Sequence, residues 1–219
     1  MSFLSIIFDL DGTLLDTIVD LAETCNEVLA LQHFPTHPTP AYKTFVGDGL
    51  QSLIRRITPV GTDDIILRQC STLFAERYAR NWKRNSCPYD GISDMLSALN
   101  KHGVQLAILS NKPHEFTKLF VDEFFPHGLF SIVYGQREGV PKKPDPTVAL
   151  EIAERFGSLP QETIFVGDSG VDMRTGKAAG MIAAGVSWGF RSVQELTDSN
   201  ADIIIHNPSE LEQYVLFPT

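Results

Sequence analysis

A parallel α/β sheet carrying a separate helical module is the fold this sequence predicts, on three observations. Short runs dense in Ile, Val, Leu and Ala recur along the chain and mostly do not alternate with polar residues, which is how strands buried on both faces read. Amphipathic stretches of helical period separate them, as the crossovers between parallel strands require. The alternation is interrupted once, by about seventy residues with helical patterns and no strand, a size suited to an inserted module.

Taken in order, "LSIIF" (Leu4–Phe8) reads as the first strand and ends at Asp9 and Asp11. From Asp16 to Asn85 the pattern is helical. Leu67, Cys70, Leu73, Phe74, Tyr78 and Trp82 fall close to three- and four-residue intervals, an amphipathic helix, and "HFPTHPTP" (His33–Pro40) is a turn between helices. After "CPYDGI" the alternation resumes. Strands are predicted at Val104–Ser110, Ser131–Gly135, Glu162–Gly167, Met181–Trp188 and Ala201–Ile205. Helices are predicted at Ile92–His102, His114–Phe125, Pro146–Phe156, Ser169–Ala179 and Val193–Thr197. The domain division that results is 1–15 with 88–219 as the α/β core and 16–87 as the helical insert.

Composition excludes several classes. The 219 residues are 43% hydrophobic and 21% charged, enough for a sizeable core. A formal net charge of −9 leaves no broad basic field, so nucleic acid is not an expected partner. No apolar run approaches the ~20 residues of a spanning helix, so no membrane partner is expected either. Cys25, Cys70 and Cys87 form no metal or redox spacing and read as reduced thiols; with no signal-peptide pattern, the expected location is cytoplasmic. The chain is expected to act as a monomer or homodimer on a small molecule.

In a parallel sheet, ligands bind at the carboxyl ends of the strands. There the sequence places Asp9 and Asp11, then Ser110 and Asn111 in "ILSNKP", then Asp168 in "FVGDSGVD", with Lys143 in "PKKPDP" nearby. Carboxylates gathered at one point repel, and hard oxygen ligands of this kind suit Mg²⁺. Asp172, four residues after Asp168, faces the same way if a helix starts between them. Gly12 permits a sharp turn after the strand. Each element also has a plainer reading. "DLDGT" alone can be a strand-ending turn, and Ser110 or Asp172 a helix cap. Lys143, like its neighbour Lys142, can be a solvated lysine, and Gly47, Asp48 and Gly49 a helix-start loop.

"DLDGTLLDT", "ILSNKP", "KKPDP" and "VGDSGVDMRTGKAAG" occur in order between Asp9 and Gly180, and together they resemble the four motifs of the haloacid dehalogenase-like superfamily. The first motif followed by a helical insert, with "SNKP" and "FVGDGLQSLI", is similar to the phosphoglycolate-phosphatase-like branch. One small departure is Asp90, where that branch frequently has proline. The resemblance implies a Rossmann-like core with helices on both faces, an all-helical cap, and a Mg²⁺-dependent phosphatase working through an aspartyl-phosphate. It implies Asp9 as nucleophile and Asp11 as acid and base. Mg²⁺ would be held by Asp9, the Asp11 carbonyl and Asp168, with Asp172 supporting from behind. Ser110 and Lys143 would grip phosphate, Lys143 would also offset the Asp9 charge, and Thr13 would brace the loop. Asn111, Gly47 and Gly49 are further candidate substrate contacts. The implied substrate is a small phosphorylated metabolite, phosphoglycolate first. Another small ester, pyrophosphate, a mutase reaction on a sugar phosphate, or binding without catalysis are the alternatives.

Overall fold

The sheet is organised around Ser5–Phe8 (β1), buried at every residue because parallel partners flank it and helices cover both its faces. The computed structural model describes residues 3–217. After β1 come the short strand Leu15–Asp16 (β2), the helices Ile18–Leu31 (α1), Tyr42–Phe45 (α2), Leu50–Ile57 (α3) and Asp64–Asn81 (α4), and the short strand Cys87–Pro88 (β3). The alternating part runs Ile92–Lys101 (α5), Gln105–Pro113 (β4), His114–Phe124 (α6), Ile132–Gln136 (β5), Thr147–Phe156 (α7) and Thr163–Gly167 (β6). It ends with Gly170–Ala178 (α8), Ile182–Val186 (β7), Val193–Asp198 (α9), Ile203–Ile205 (β8) and Pro208–Leu216 (α10).

Six strands pair in parallel in the order β5-β4-β1-β6-β7-β8. The two-residue period of a strand sends Ile6 and Phe8 to one face and Ile7 to the other. Ile7 joins Ala107, Leu109 and Phe165 beneath the apolar side of α7, Val148, Ala149 and Ile152. Ile6 and Phe8 join Leu106, Ile108, Ile164 and Val166 in the larger core with α5 and α6. Chain order reverses at β1, so a crevice opens at its carboxyl end, where a ligand site in such a sheet belongs.

Helices α1–α4 form a cap. On α4, Leu67, Cys70, Phe74, Tyr78 and Asn81 are buried at helical spacing, and Asp63 caps its start by accepting from Ile65 N at 2.7 Å. Where the chain enters and leaves the cap, β2 and β3 pair antiparallel, Leu15 opposite Pro88 and Asp16 opposite Cys87. Of that ribbon only Asp16 falls within the stretch Asp16–Asn85 expected to hold no strand, and a two-residue strand is too short to carry a pattern.

Asp20, 1% exposed, ties this junction. Its carboxylate accepts from Asn85 N and Nδ2 and from Ser86 N and Oγ, at 2.7–3.0 Å. Burial acts to raise its pKa, but the hydrogen bonds from Ser86 and Asn85 outweigh it and hold the group below the ordinary carboxylate range. Asp20→Ala is expected to lower stability by at least ~2 kcal/mol in a urea melt, since several buried donors lose their acceptor at once. A loss within error would show that water replaces the carboxylate. This contribution is present above pH ~4 and fades as pH falls through the depressed pKa.

The ends of β1, β6 and β8 fall where expected, at Phe8, Gly167 and Ile205, and the other strand bounds differ by one to three residues. The run Met181–Trp188 is apolar throughout, but pairing in β7 ends at Val186 where β8 ends. Helix α10 was not anticipated, although Asn207 accepts from Glu210 N and Pro208 occupies the first turn, a standard helix start. Cys25 and Cys70 are buried and Cys87 exposed, all as free thiols. Among the described residues no helix is long and apolar enough to cross a membrane.

Candidate active site

Register assembles the site. Phe8 pairs with Ile108 on one side and Val166 on the other. The residues that follow, Asp9 after β1, Ser110 on β4 and Asp168 after β6, therefore emerge together at the crevice. Asp9 N donates to Val166 O at 2.9 Å, which holds its backbone in line with the sheet. The chain then doubles back at Gly12, whose φ of +84° only glycine adopts readily. A Cβ at Gly12 would also collide with the Asp168 carboxylate, so glycine is required there twice over.

Asp9, Asp168 and Asp172 each present a carboxylate oxygen within 4.8 Å of the others. Lys143 Nζ stands among them, 2.9 Å from Asp9 Oδ1 and 2.7 Å from Asp172 Oδ1. Asp9 Oδ1 is buried, with no hydrogen-bond partner beyond this ion pair. Asp172 is fully engaged instead. Its Oδ2 accepts from Ser169 N at 3.1 Å and Ser169 Oγ at 2.6 Å. Asp168 Oδ2 accepts from Phe190 N at 2.7 Å.

Three buried carboxylates around one lysine leave an excess of negative charge. Burial, followed by the Asp172 and Asp11 charges and opposed by Lys143, pushes Asp9 up to about 6. Burial, with Asp172 and Asp9, pushes Asp168 well above the ordinary range. Burial works against the charge on Lys143, but Asp172 and Asp9 outweigh it and raise its pKa. A buried Asp9 oxygen met only by the Lys143 ion pair, hard oxygen donors and uncompensated charge are the features of a divalent-cation site, and these residues fit one.

Asp11 stands in different company. Thr17 Oγ1 donates to its Oδ1 at 2.7 Å, and Lys112 Nζ lies 3.1 Å from both carboxylate oxygens. Lys112 also donates to the hydroxyl of Tyr78, on cap helix α4, at 2.9 Å. Burial lowers the Lys112 pKa despite the Asp11 charge. Lys112 was not singled out in the sequence. The available signal was continuity: it extends a run buried at every residue from Leu106, and a lysine buried there needs an anion.

The other candidates divide. Ser110, Asn111, Gly47 and Gly49 line one cavity of about 60 Å³ together with Asp9, Asp11 and Asp168. Asn111 is already committed: its Nδ2 donates to Gly47 O and Lys143 O, and its Oδ1 accepts from Lys143 N at 3.0 Å. It thus ties the Lys143 loop to the cap. Thr13 and Lys143 are buried outside this cavity, Thr13 Oγ1 without a hydrogen bond. Lys142 is exposed, as expected of a surface lysine, and also donates to Asp48 O at 2.7 Å. Arg191 donates to the carbonyls of Lys43, Thr44 and Val46 at 2.5, 3.1 and 2.8 Å. Three core side chains therefore grip consecutive stretches of the cap segment 43–48, and the cap sits closed over the strand ends. Asp48, paired with Arg56, does not line the cavity.

The family of haloacid dehalogenase-like hydrolases matches residues 6–186. A phosphoglycolate phosphatase of Pseudomonas putida is 33% identical over 205 residues, covering 91% of this chain and 75% of its own. That of Aquifex aeolicus is 31% identical over 210 residues, 94% of this chain and 93% of its own. A crystal structure from Lactobacillus delbrueckii, of a protein provisionally named phosphoglycolate phosphatase, superposes with a TM-score of 0.93 at 28% identity, over 99% of this chain and 100% of that one. With four motifs in order, a parallel core, a helical cap and an aspartate cluster at the switch point of the sheet, this chain belongs to the haloacid dehalogenase-like hydrolases, in the branch of phosphoglycolate-phosphatase-like phosphatases.

Proposed function

We propose that the protein hydrolyses small phosphomonoesters with Mg²⁺, in two transfers through Asp9, and that phosphoglycolate is the first substrate to test. The observation that carries this reading is the pairing of two unlike aspartates. Asp9 sits among carboxylates beside Lys143, while Asp11, two residues on, lies toward the cap against Lys112 and Thr17. A nucleophile and an acid/base need such separate environments. The substrate assignment is supported by phosphoglycolate phosphatases about 30% identical to this chain.

The Asp9 carboxylate, the Asp11 main-chain carbonyl and Asp168 would hold Mg²⁺, which when bound offsets the charge of an incoming phosphate. Asp172, spent on Lys143 and Ser169, would support the site from behind. Asp9 attacks phosphorus, and Lys143 lowers the charge barrier to its approach. Asp11 protonates the leaving oxygen and then takes a proton from the water that hydrolyses the aspartyl-phosphate. Ser110 supplies a hydroxyl to the phosphoryl group, Thr13 braces the turn after β1, and Asn111 holds the Lys143 loop. Residues 16–87 move as the cap, opening to admit substrate and closing to exclude water, with Gly47 and Gly49 next to the substrate.

The direct test is phosphate release from a panel of phosphorylated metabolites and p-nitrophenyl phosphate. Activity should require Mg²⁺ and vanish in excess chelator; full activity without divalent metal contradicts the reading. Linkage adds a second expectation. Asp9 is raised to about 6 when folded, so from pH ~4 to about 6 the folded chain binds more protons than the unfolded one, and the raised pKa of Asp168 acts in the same direction. Metal-free stability from these groups is therefore fully present at low pH and falls as pH rises through that window. Mg²⁺ competes with those protons, and should raise Tm more at pH 8 than at pH 5. An equal or larger increment at pH 5 would place the cation elsewhere.

A further inference from the structure

We propose that Lys112 recognises an anionic group on the leaving half of the substrate, next to the ester carbon, and so selects phosphate esters of 2-hydroxy carboxylic acids over neutral or cationic esters. The inference rests on the phosphatase reading above and assigns the choice among esters to the lysine paired with Asp11.

Position comes first. The leaving oxygen must come within hydrogen-bond reach of the Asp11 carboxyl, and Lys112 Nζ is 3.1 Å from both oxygens of that carboxyl. In a 2-hydroxy acid ester the carboxylate carbon is two bonds from the leaving oxygen, about 2.5 Å away. A carboxylate so placed falls within reach of the Lys112 ammonium without any movement of the core.

Electrostatics then narrows the choice. Cap residues Leu21, Leu50, Leu53 and Phe74, with Phe116 of the core, line the cavity with hydrocarbon. A charged group set against them would lose water and gain no partner. Arg191 also lines the cavity, but its guanidinium is spent on the carbonyls of Lys43, Thr44 and Val46. Lys112 is held by a carboxylate and a hydroxyl that themselves line the cavity, Asp11 and Tyr78, so its ammonium is the cation beside the leaving group. It is held there rigidly: its Nζ lies 4.8 Å from the ring centre of Tyr78 and 4.3 Å from that of Phe120, and bonds the Tyr78 hydroxyl. Tyr78 belongs to the cap, so the ammonium takes up this position when the cap is closed.

The test is the specificity ratio, which a purely structural lysine would not change. Phosphoglycolate, 2-hydroxyethyl phosphate and phosphoethanolamine have closely similar size and carry an anionic, a neutral and a cationic leaving half. For the unmodified enzyme, kcat/KM should fall in that order, with at least ~10²-fold between the first two, as expected when a site loses a polar partner it was built for. Lys112→Met keeps the length and removes the charge. It should bring the first two substrates within about threefold of each other, while Lys112→Arg retains part of the preference. Equal losses on all substrates in Lys112→Met, with the ratio preserved, would show that Lys112 serves Asp11 alone and would overturn the proposal. Should Lys112→Met not fold, the unmodified enzyme still decides: a neutral or cationic ester turned over as well as phosphoglycolate overturns it. p-Nitrophenyl phosphate separates the two levels. Inactivity on that ester and all others overturns the phosphatase reading, whereas activity on it with no charge preference overturns only the role of Lys112.

Discussion

Asp9→Asn is expected to lower kcat by at least ~10³-fold while the protein remains folded, the scale seen when the group that forms the covalent bond is removed. The two side chains are the same size, so the packing between β4 and β6 is kept. What is lost is the nucleophile and one of the negative charges beside Lys143. Because Asp9 carries a raised pKa, its charge is a burden on the metal-free fold at neutral pH. Asp9→Asn should therefore be at least as stable as the unmodified protein at pH 8 without metal. An active site residue that costs stability and is needed for turnover fits catalysis; near-normal phosphate release from Asp9→Asn would remove the covalent mechanism.

Lys143→Met is the second large effect, and it acts on both stability and rate. Lys143 Nζ is the cation within 3 Å of Asp9 and Asp172, and its side chain is 2% exposed. Removing it leaves three buried carboxylates together, and breaking a buried pair in this way typically costs about 3–5 kcal/mol. The loss should be smaller at pH 5, below the raised pKa of Asp9, and Mg²⁺ should recover part of it at pH 8. Turnover should fall at least ~10³-fold even in the folded, Mg²⁺-saturated variant, because Asp9 would approach phosphate without a neighbouring cation. Retention of more than about a tenth of kcat/KM would show that Lys143 has only a structural part.

The sheet was legible where burial is complete. β1, β4 and β6 are short apolar runs because both of their faces are covered, and no alternation was needed to find them. Their ends were less legible, because pairing depends on how far the neighbour extends rather than on the residue itself. Helix α10 shows a different limit: its start signals, Asn207 and Pro208, are local, but only two buried positions after the first turn, Leu211 and Val215, carry its period. In the site, motif spacing pointed to Asp9, Asp11, Asp168, Asp172 and Lys143, and the fold brings these five to one end of the sheet. It could not show that Asn111 and Lys142 would be spent on cap carbonyls. Nor could it show that Lys112 would be buried beneath Tyr78, since that contact joins residues thirty-four positions apart through closure of the cap.

The covalent role of Asp9 is tested most directly by rapid acid quench of Asp11→Asn reacting with p-nitrophenyl phosphate. That leaving group needs no acid, so the first transfer should proceed while hydrolysis, which lacks its base, should stall. The account predicts a burst of p-nitrophenolate equal to the enzyme present, and one phosphoryl group located by peptide mass spectrometry on Asp9. Linear product release from time zero, with the Asp9 peptide unmodified at every quench, would contradict it.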